Sequence, residues 1–508
     1  MDAVFQAFRE YWSQVQAERS SSYLTRWLFL RLLGLIYLVA FLSLWMQIGG
    51  LIGSHGILPA ADFLKTASER VGPERFWWWP TFCWLNSQDW FLHFQCGLGV
   101  LFSLLLITGV APVLDLILLW AIYLSLSTVC RDFLGFQWDI LLLETGFLAI
   151  FLAPRPWRPS LARETQPSLL VIWLARWLLF RLMFMSGAVK LLSADSTWWN
   201  LAALDVHYET QPLPTWIGWY AHQLPEGCQR ASVFVMFIIE LIIPGLIFGL
   251  RQLRGIACGA FVFLMLLISL TGNYCFFNLL TVALCTLLLD DGILRRFVPQ
   301  RMAGPAPRAA AGEASLFRRL RRGSLGVLAL TLLLISAVET LARLIGRQSM
   351  PRPLLRLVEL ASPLRTVNSY GLFAMMTTTR PEIIVEGSAD GATWLPYEFK
   401  WKPGDLKRRP AIVAPHQPRL DWQMWFAALG DYRQNPWFVK FLVRLLQGSP
   451  EVVALLERNP FPDRPPRLVR AVLYEYRFTD RASRAKTGAW WRRERKGLYC
   501  PELSLRQI

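Results

Sequence analysis

Charge is scarce in this chain of 508 residues: only 18% of positions are Asp, Glu, Lys or Arg, against 54% hydrophobic. Soluble domains carry about a quarter charged residues. A soluble enzyme is therefore excluded, and so are a disordered tail protein and a collagen-like or repeat protein. Metal chemistry is equally thin. The five histidines, His55, His93, His207, His222 and His416, form no i,i+4 pair and no zinc spacing. No metal site and no cofactor is expected. The eight cysteines contain no Cys-x-x-Cys, which removes thioredoxin-type exchange. No Asn-x-Ser/Thr sequon occurs, so the chain offers no N-glycan acceptor. No pattern of a nucleic-acid-binding fold is present, and no nucleic-acid partner is expected.

Aromatic residues are plentiful. The 24 Trp and 32 Phe gather at the ends of apolar runs, where a bilayer's interfacial belt holds them. Those runs are Trp27–Ile48, Phe91–Val110, Val113–Val129, Trp138–Ala153, Leu169–Gly187, Val233–Leu250, Ile256–Leu270, Cys275–Leu289 and Leu325–Leu344. Each is long enough to cross about 30 Å of hydrocarbon. The expected architecture is a membrane all-α bundle of about nine transmembrane helices, with the lipid bilayer as its solvent. The third, fourth, seventh and eighth runs are short and read as tilted or re-entrant. The first run follows a polar stretch, Met1–Ser22, with no small-residue cleavage site after it, and reads as a retained anchor.

Lys and Arg stay on the cytoplasmic side during insertion. With nine spans, the N-terminus, the Arg155/Arg158/Arg163 loop, the Arg251/Arg254 turn and the arginine-rich Arg295–Arg322 loop share one side. The expectation is a cytoplasmic segment over 1–26 and a polytopic domain over 27–345. That domain has outer loops 49–90 and 188–231 and a basic cytoplasmic linker 290–322. Residues 346–508 would be exported. An odd span count sets this orientation.

Past the ninth run hydropathy falls. Strand-like segments appear at Glu382–Glu386, Trp394–Trp401 and Arg467–Phe478, and the first two are joined by a Gly387–Gly391 turn signal. Asp421–Leu429 and Asn435–Leu446 read as short amphipathic helices. A β-rich C-terminal domain with helical insertions is predicted. Its 27 Lys and Arg against 15 Asp and Glu suit either an acidic partner or a solvated charged face. Cys83, Cys130, Cys228 and Cys500 fall on or near the outer side. A Cys83–Cys228 bridge is one option among several, and spacing does not choose.

Several charges lie in apolar surroundings, where they pair or line a cavity. Arg176 and Arg181 fall in the fifth run, Glu144 in the fourth and Glu240 in the sixth; Arg181–Glu240 or Arg176–Glu144 are the expected pairs. Lys190 ends the fifth run. It either snorkels with Asp195 as partner or is partly buried, where desolvation would make it a base. His207 and Glu209 alternate along a proline-stiffened outer loop. Gly272–Asn278 is a tight turn whose asparagines cap helix ends.

Several strings carry a resemblance. Lys190-Leu with Trp198, Asp205, His207-Tyr208-Glu209-Thr210-Gln211-Pro212, Trp219-Tyr220 with His222-Gln223-Leu224-Pro225, and Gly272-Asn273-Tyr274 together resemble the lipase maturation factor family. In the tail, the stretch from Tyr370 through Arg380 to Gly387, the segment Ala414–Trp425, and Asn435-Pro-Trp437 resemble that family's C-terminal domain. The likeness runs from Gly56 to about Tyr499. It implies a polytopic membrane protein of the endoplasmic reticulum, or a bacterial inner-membrane homologue. It further implies a non-enzymatic factor that helps an exported, lipase-like client fold and assemble. Client-binding candidates are Asp205, His207, Tyr208, Glu209, Arg380, His416, Arg419, Asp421 and Trp425. The chain finishes Leu503–Ile508 without the lumenal retention signal expected of an animal member.

A shorter likeness supports a rival. Ser186-Gly187-Ala-Val-Lys190-Leu191, with Ala194-Asp195 and Trp198, resembles the transmembrane domain of the vitamin-K-dependent γ-carboxylase family, in which a lysine of this stretch serves as base. It implies an intramembrane enzyme acting on a lipid or quinone-like substrate, with Lys190 as base and His207 and Glu209 beside it.

Overall fold

The computed structural model describes residue 6 and residues 22–159, 167–296 and 316–506. All nine apolar runs are helical: α1 Tyr23–Trp45, α2 Asp89–Thr108, α3 Pro112–Cys130, α4 Gln137–Leu152, α5 Leu169–Leu192, α6 Glu226–Phe248, α7 Arg251–Thr271, α8 Phe277–Thr286 and α9 Leu316–Ile345. Seven of them are long and apolar enough to cross a membrane, not nine. The two that fall short are α4 and α8, with 16 and 10 residues. At about 1.5 Å per residue they reach roughly 24 and 15 Å, less than the hydrocarbon thickness. Both are mostly buried among other helices, with Asp139 and Glu144 on α4 buried and Leu279 the exposed position of α8.

The bundle has two distinct ends. At one, the Asp291 carboxylate accepts the backbone N–H groups of Tyr23, Leu24 and Thr25 at 2.9, 3.0 and 3.2 Å. An anion there satisfies the orphan donors that open α1. Arg251 pairs with Asp290, and Arg254 donates to the Leu288 carbonyl, at the same end. The other end is covered by the tail. Arg163 and most of the basic linker, including its Pro/Ala/Gly stretch, lie outside the described residues, as does nearly all of 1–21.

α6 is not a uniform helix. It is α-helical over Glu226–Phe237, widens into a π-helical turn over Ile238–Ile242, and tightens to a 3-10 turn over Ile243–Phe248. Pro244 explains the break: it has no N–H for the Glu240 carbonyl, and its ring displaces that carbonyl. Glu240 thereby sits on the wide turn.

In the tail, four antiparallel strands form one sheet in the order β2-β1-β5-β6, and β3 pairs with β4. Their ranges are β1 Arg380–Ser388, β2 Leu395–Pro396, β3 Glu398–Phe399, β4 Leu456–Arg458, β5 Leu468–Phe478 and β6 Trp491–Leu503. The expected Trp394–Trp401 strand splits at Pro396, which cannot continue a ladder. The turn before β2 is held by Asp390, which accepts the Ala392 and Thr393 amides at 2.8 Å each. Helices Arg419–Ala428 and Pro436–Leu446 match the two expected amphipathic segments. The tail does not hang free. Its aromatic residues continue the bundle core, with Trp422 edge-on to Trp138 at 4.7 Å between ring centroids.

Candidate functional site

The residues of the strings that carry the resemblance converge where the tail meets the bundle. There many of them bond across the junction, one partner from each side. Arg419 is fully buried and donates to both carboxylate oxygens of Asp139 on α4, at 2.6 and 2.8 Å, and to the Phe133 carbonyl at 3.0 Å. Tyr123 of α3 donates to the same carboxylate at 2.6 Å. A forked guanidinium on a carboxylate is the geometry in which an ion pair is strongest. Next to it, Ser43 and Gln47 at the end of α1 hold the tail's backbone. The Ser43 hydroxyl meets His416 Nδ1 at 2.9 Å, and the Gln47 amide donates to the Gln417 carbonyl at 2.8 Å.

Arg380 opens β1 and is also buried. It donates to the Glu209 and Pro212 carbonyls at 2.7 and 2.9 Å, to the Gln211 carbonyl, and to Glu382 at 2.6 Å. Lys402 closes the network on Glu382 at 2.9 Å. Glu209 accepts the Phe478 amide at 2.8 Å and stands 3.8 Å from His222. Trp425 donates its indole N–H to the Thr210 carbonyl at 2.8 Å. Asp421 stays within the tail, where its carboxylate accepts the Trp401 and Lys402 amides at 2.9 and 2.8 Å; burial pushes its carboxyl above the usual range. Tyr208 packs with Trp219, Tyr476 and Trp491. Asp205 lies half-buried on the helix Ala203–Thr210. Asn273 does not cap its own turn. Its side chain accepts the Val413 amide at 2.6 Å and donates to the Ala411 carbonyl at 2.9 Å, tying the tail to α7.

The buried charges pair differently from expectation. Arg181 bonds Glu144, and Lys190 bonds Glu240 at 2.6 Å; Arg176 donates to the Leu287 carbonyl at 3.2 Å. Sequence spacing could not choose among these partners, because the choice depends on helix rotation and on the wide turn of α6. The segment 366–376 enters the bundle beside both pairs. Tyr370 donates its hydroxyl to Glu144 at 2.7 Å, the Asn368 amide N–H reaches the same oxygen at 2.9 Å, and Arg181 donates to the Asn368 carbonyl at 2.9 Å. Asp195 does not pair with Lys190. It caps the short helix Ser196–Trp199 through the Thr197 amide and accepts the Met376 amide at 2.7 Å.

Around Lys190 the Trp198 ring lies 5.3 Å from the ammonium, and the Trp198 indole donates to the Phe373 carbonyl at 3.1 Å. His207 sits on the other side of Phe373, with ring centroids 5.0 Å apart. Its Nε2 meets the Tyr274 hydroxyl at 3.2 Å, and that hydroxyl donates to Gln211 at 2.9 Å. The chain of donors assigns the imidazole proton to Nε2. Burial, with Lys190 nearby, pushes His207 down to about 4, so the ring is neutral. His416 is also lowered to about 4, by burial and then by Arg419 and Lys400.

The Cys83–Cys228 bridge does not form: Cys83 is buried against Gln95, Cys228 is exposed on α6, and all eight cysteines are free. Among the described residues no cluster of three metal-binding side chains occurs. The partners Asp139, Tyr123 and Asn368 went unrecognised in the sequence. Asp139 had a usable signal, since it is an acid in an apolar run just as Glu144 is.

Together, the helical bundle and its seated, strand-containing tail define a multi-pass membrane protein with an extramembrane domain joined to one end. Two family models match it in order, the lipase maturation factor transmembrane domain over residues 24–296 and the lipase maturation factor C-terminal domain over residues 366–501. Lipase maturation factor 2 of Homo sapiens is 37% identical, covering 96% of this chain and 83% of that protein. Lipase maturation factor 1 of Mus musculus is 36% identical over 98% of this chain and 90% of its own length. The human lipase maturation factor 1 is 37% identical over 96% and 89%. The chain belongs to the lipase maturation factor family. No solved structure matches it.

Proposed function

We propose that this chain is a membrane-held maturation factor that assists exported lipases to fold and assemble at the tail end of its bundle. The observation that carries the reading is the 36–37% identity to lipase maturation factors 1 and 2 across 96–98% of the chain. The geometry supports it: the family's strings build a rigid joint that presents the tail as a fixed surface. The tail end faces the lumen of the endoplasmic reticulum, or the periplasm in a bacterial cell, and the N-terminus faces the cytoplasm. In support, Arg251 and Arg254 lie at the end away from the tail, as cytoplasmic retention of basic residues requires.

The enzyme reading places the base at Lys190, which here is ion-paired to Glu240. Lys190→Ala alone would strand a buried carboxylate and cost about 3–5 kcal/mol of stability, so its failure would say nothing about chemistry. The discriminating variant is Lys190→Met with Glu240→Gln, which removes both charges together. Exported lipase activity per mass of lipase is measured in cells lacking the chain and rescued with wild type or with this double variant. Equal rescue supports a maturation factor. A double variant that accumulates normally in the membrane but fails to rescue would favour catalysis at Lys190.

A further inference from the structure

The strand β6 ends the tail's sheet, is 13 residues long and pairs only with β5. Beyond its start, where the amides of Trp491 and of Trp490 just before it donate to the Leu406 carbonyl, its outer edge makes no backbone hydrogen bond among the described residues. Over Trp491–Arg495 it pairs in step with Tyr474–Phe478, whereas the ladder shifts register beyond Arg495, and a regular edge of this kind presents alternate N–H and C=O groups to any strand that approaches. Between Arg492 and Lys496 the side chains are exposed on both faces of the strand. Four of those five residues are cations. Lys496 bonds Glu475 and Glu494, and Arg493 donates to the Tyr476 hydroxyl, but Arg492 and Arg495 make no ion pair among the described residues. A cavity of about 360 Å³ opens beside the row, lined by Glu475, Arg477, Arg492, Arg493, Glu494 and Lys496.

We propose that the outer edge of β6 docks an extended acidic segment of an incompletely folded exported chain, which joins the sheet as a fifth strand. This rests on the maturation-factor reading and gives the partner's chemistry. The two features work together. The open edge supplies main-chain hydrogen bonds that do not depend on sequence, as strand addition does elsewhere. The row of arginines repels a second copy of β6 and attracts an acidic strand, so it selects against self-pairing without closing the edge. A lipid headgroup would use the charge but not the row of backbone groups.

The test uses the full chain in neutral phosphatidylcholine nanodiscs. The probe is reduced, carboxymethylated α-lactalbumin, an acidic chain that stays unfolded. A photocrosslinking residue replaces exposed Leu498 on β6 or exposed Leu395 on β2, the opposite edge. The probe is expected to crosslink predominantly at Leu498, and R492E/R495E should weaken its binding about tenfold at low salt. Equal crosslinking at both edges, or unchanged binding by R492E/R495E, overturns the proposal. Displacement of the probe from Leu498 by phosphatidylserine vesicles also overturns it, by assigning the row to a membrane surface. Lipase activity per mass in cells with and without the wild-type chain decides the underlying reading separately, whatever the probe does.

Discussion

Asp139, Glu144 and Glu240 each sit in the bundle with relative exposure of 5% or less, and each is matched by one cation. Such pairs add little net stability, but losing one partner leaves a buried charge and costs about 3–5 kcal/mol. Arg419→Met should therefore lower the unfolding midpoint in detergent sharply, and Arg419→Met with Asp139→Leu should recover most of the loss. A double variant no better than the single would show that the two residues act independently. His207 and His416 make a second prediction at this scale. Both are held near 4 when folded, below an unfolded value near 6.5, so the unfolded chain binds more protons in that window. Their contribution is complete above about pH 6.5 and is lost as pH falls towards 4. Thermal melts should show stability falling across that range, with a shallower fall in the His207→Phe, His416→Gln variant.

Among the elements, the segment 366–376 decides how the tail is held. Gly371 has φ +139°, and a Cβ there would come within 2.7 Å of Val189 on α5. Gly371→Ala should reduce the amount of folded protein recovered from membranes more than Gly488→Ala, whose Cβ would meet nothing although its φ is also positive. Cutting the chain after Gln348 removes Asn368 and Tyr370 from Glu144, so the truncated bundle should accumulate poorly; normal accumulation would show that the bundle folds without its tail. Much of this level was legible in the sequence. Apolar runs fixed every bundle helix, and alternation located β5 over Leu468–Phe478. β6 escaped because Arg492-Arg493-Glu494-Arg495-Lys496 is charged at every position and shows no alternation. The joint escaped for another reason: Asp139 and Arg419 are 280 positions apart, and only the fold shows that a tail arginine enters the bundle.

At the scale of the whole molecule, bundle and tail are one body, and the strings that carry the resemblance to the lipase maturation factor family mostly lie inside the joint. Exposed Phe76, Trp77, Trp78 and Trp90 rim the loops nearby, as interfacial aromatics do. Cys228 is exposed while the other seven cysteines are buried, so a membrane-impermeant maleimide should label the protein at Cys228 from the lumenal or periplasmic side. Labelling from the cytoplasmic side alone would reverse the proposed orientation. We propose that the seated tail is the form that matures a client. The most direct measurement is exported lipase activity per mass in cells lacking the chain and supplied with wild type, Arg419→Met, or Arg419→Met with Asp139→Leu, at matched membrane abundance. Rescue is expected with wild type, loss with the single variant and recovery with the double. Full rescue by Arg419→Met, or no difference between cells with and without the wild-type chain, would contradict the proposal.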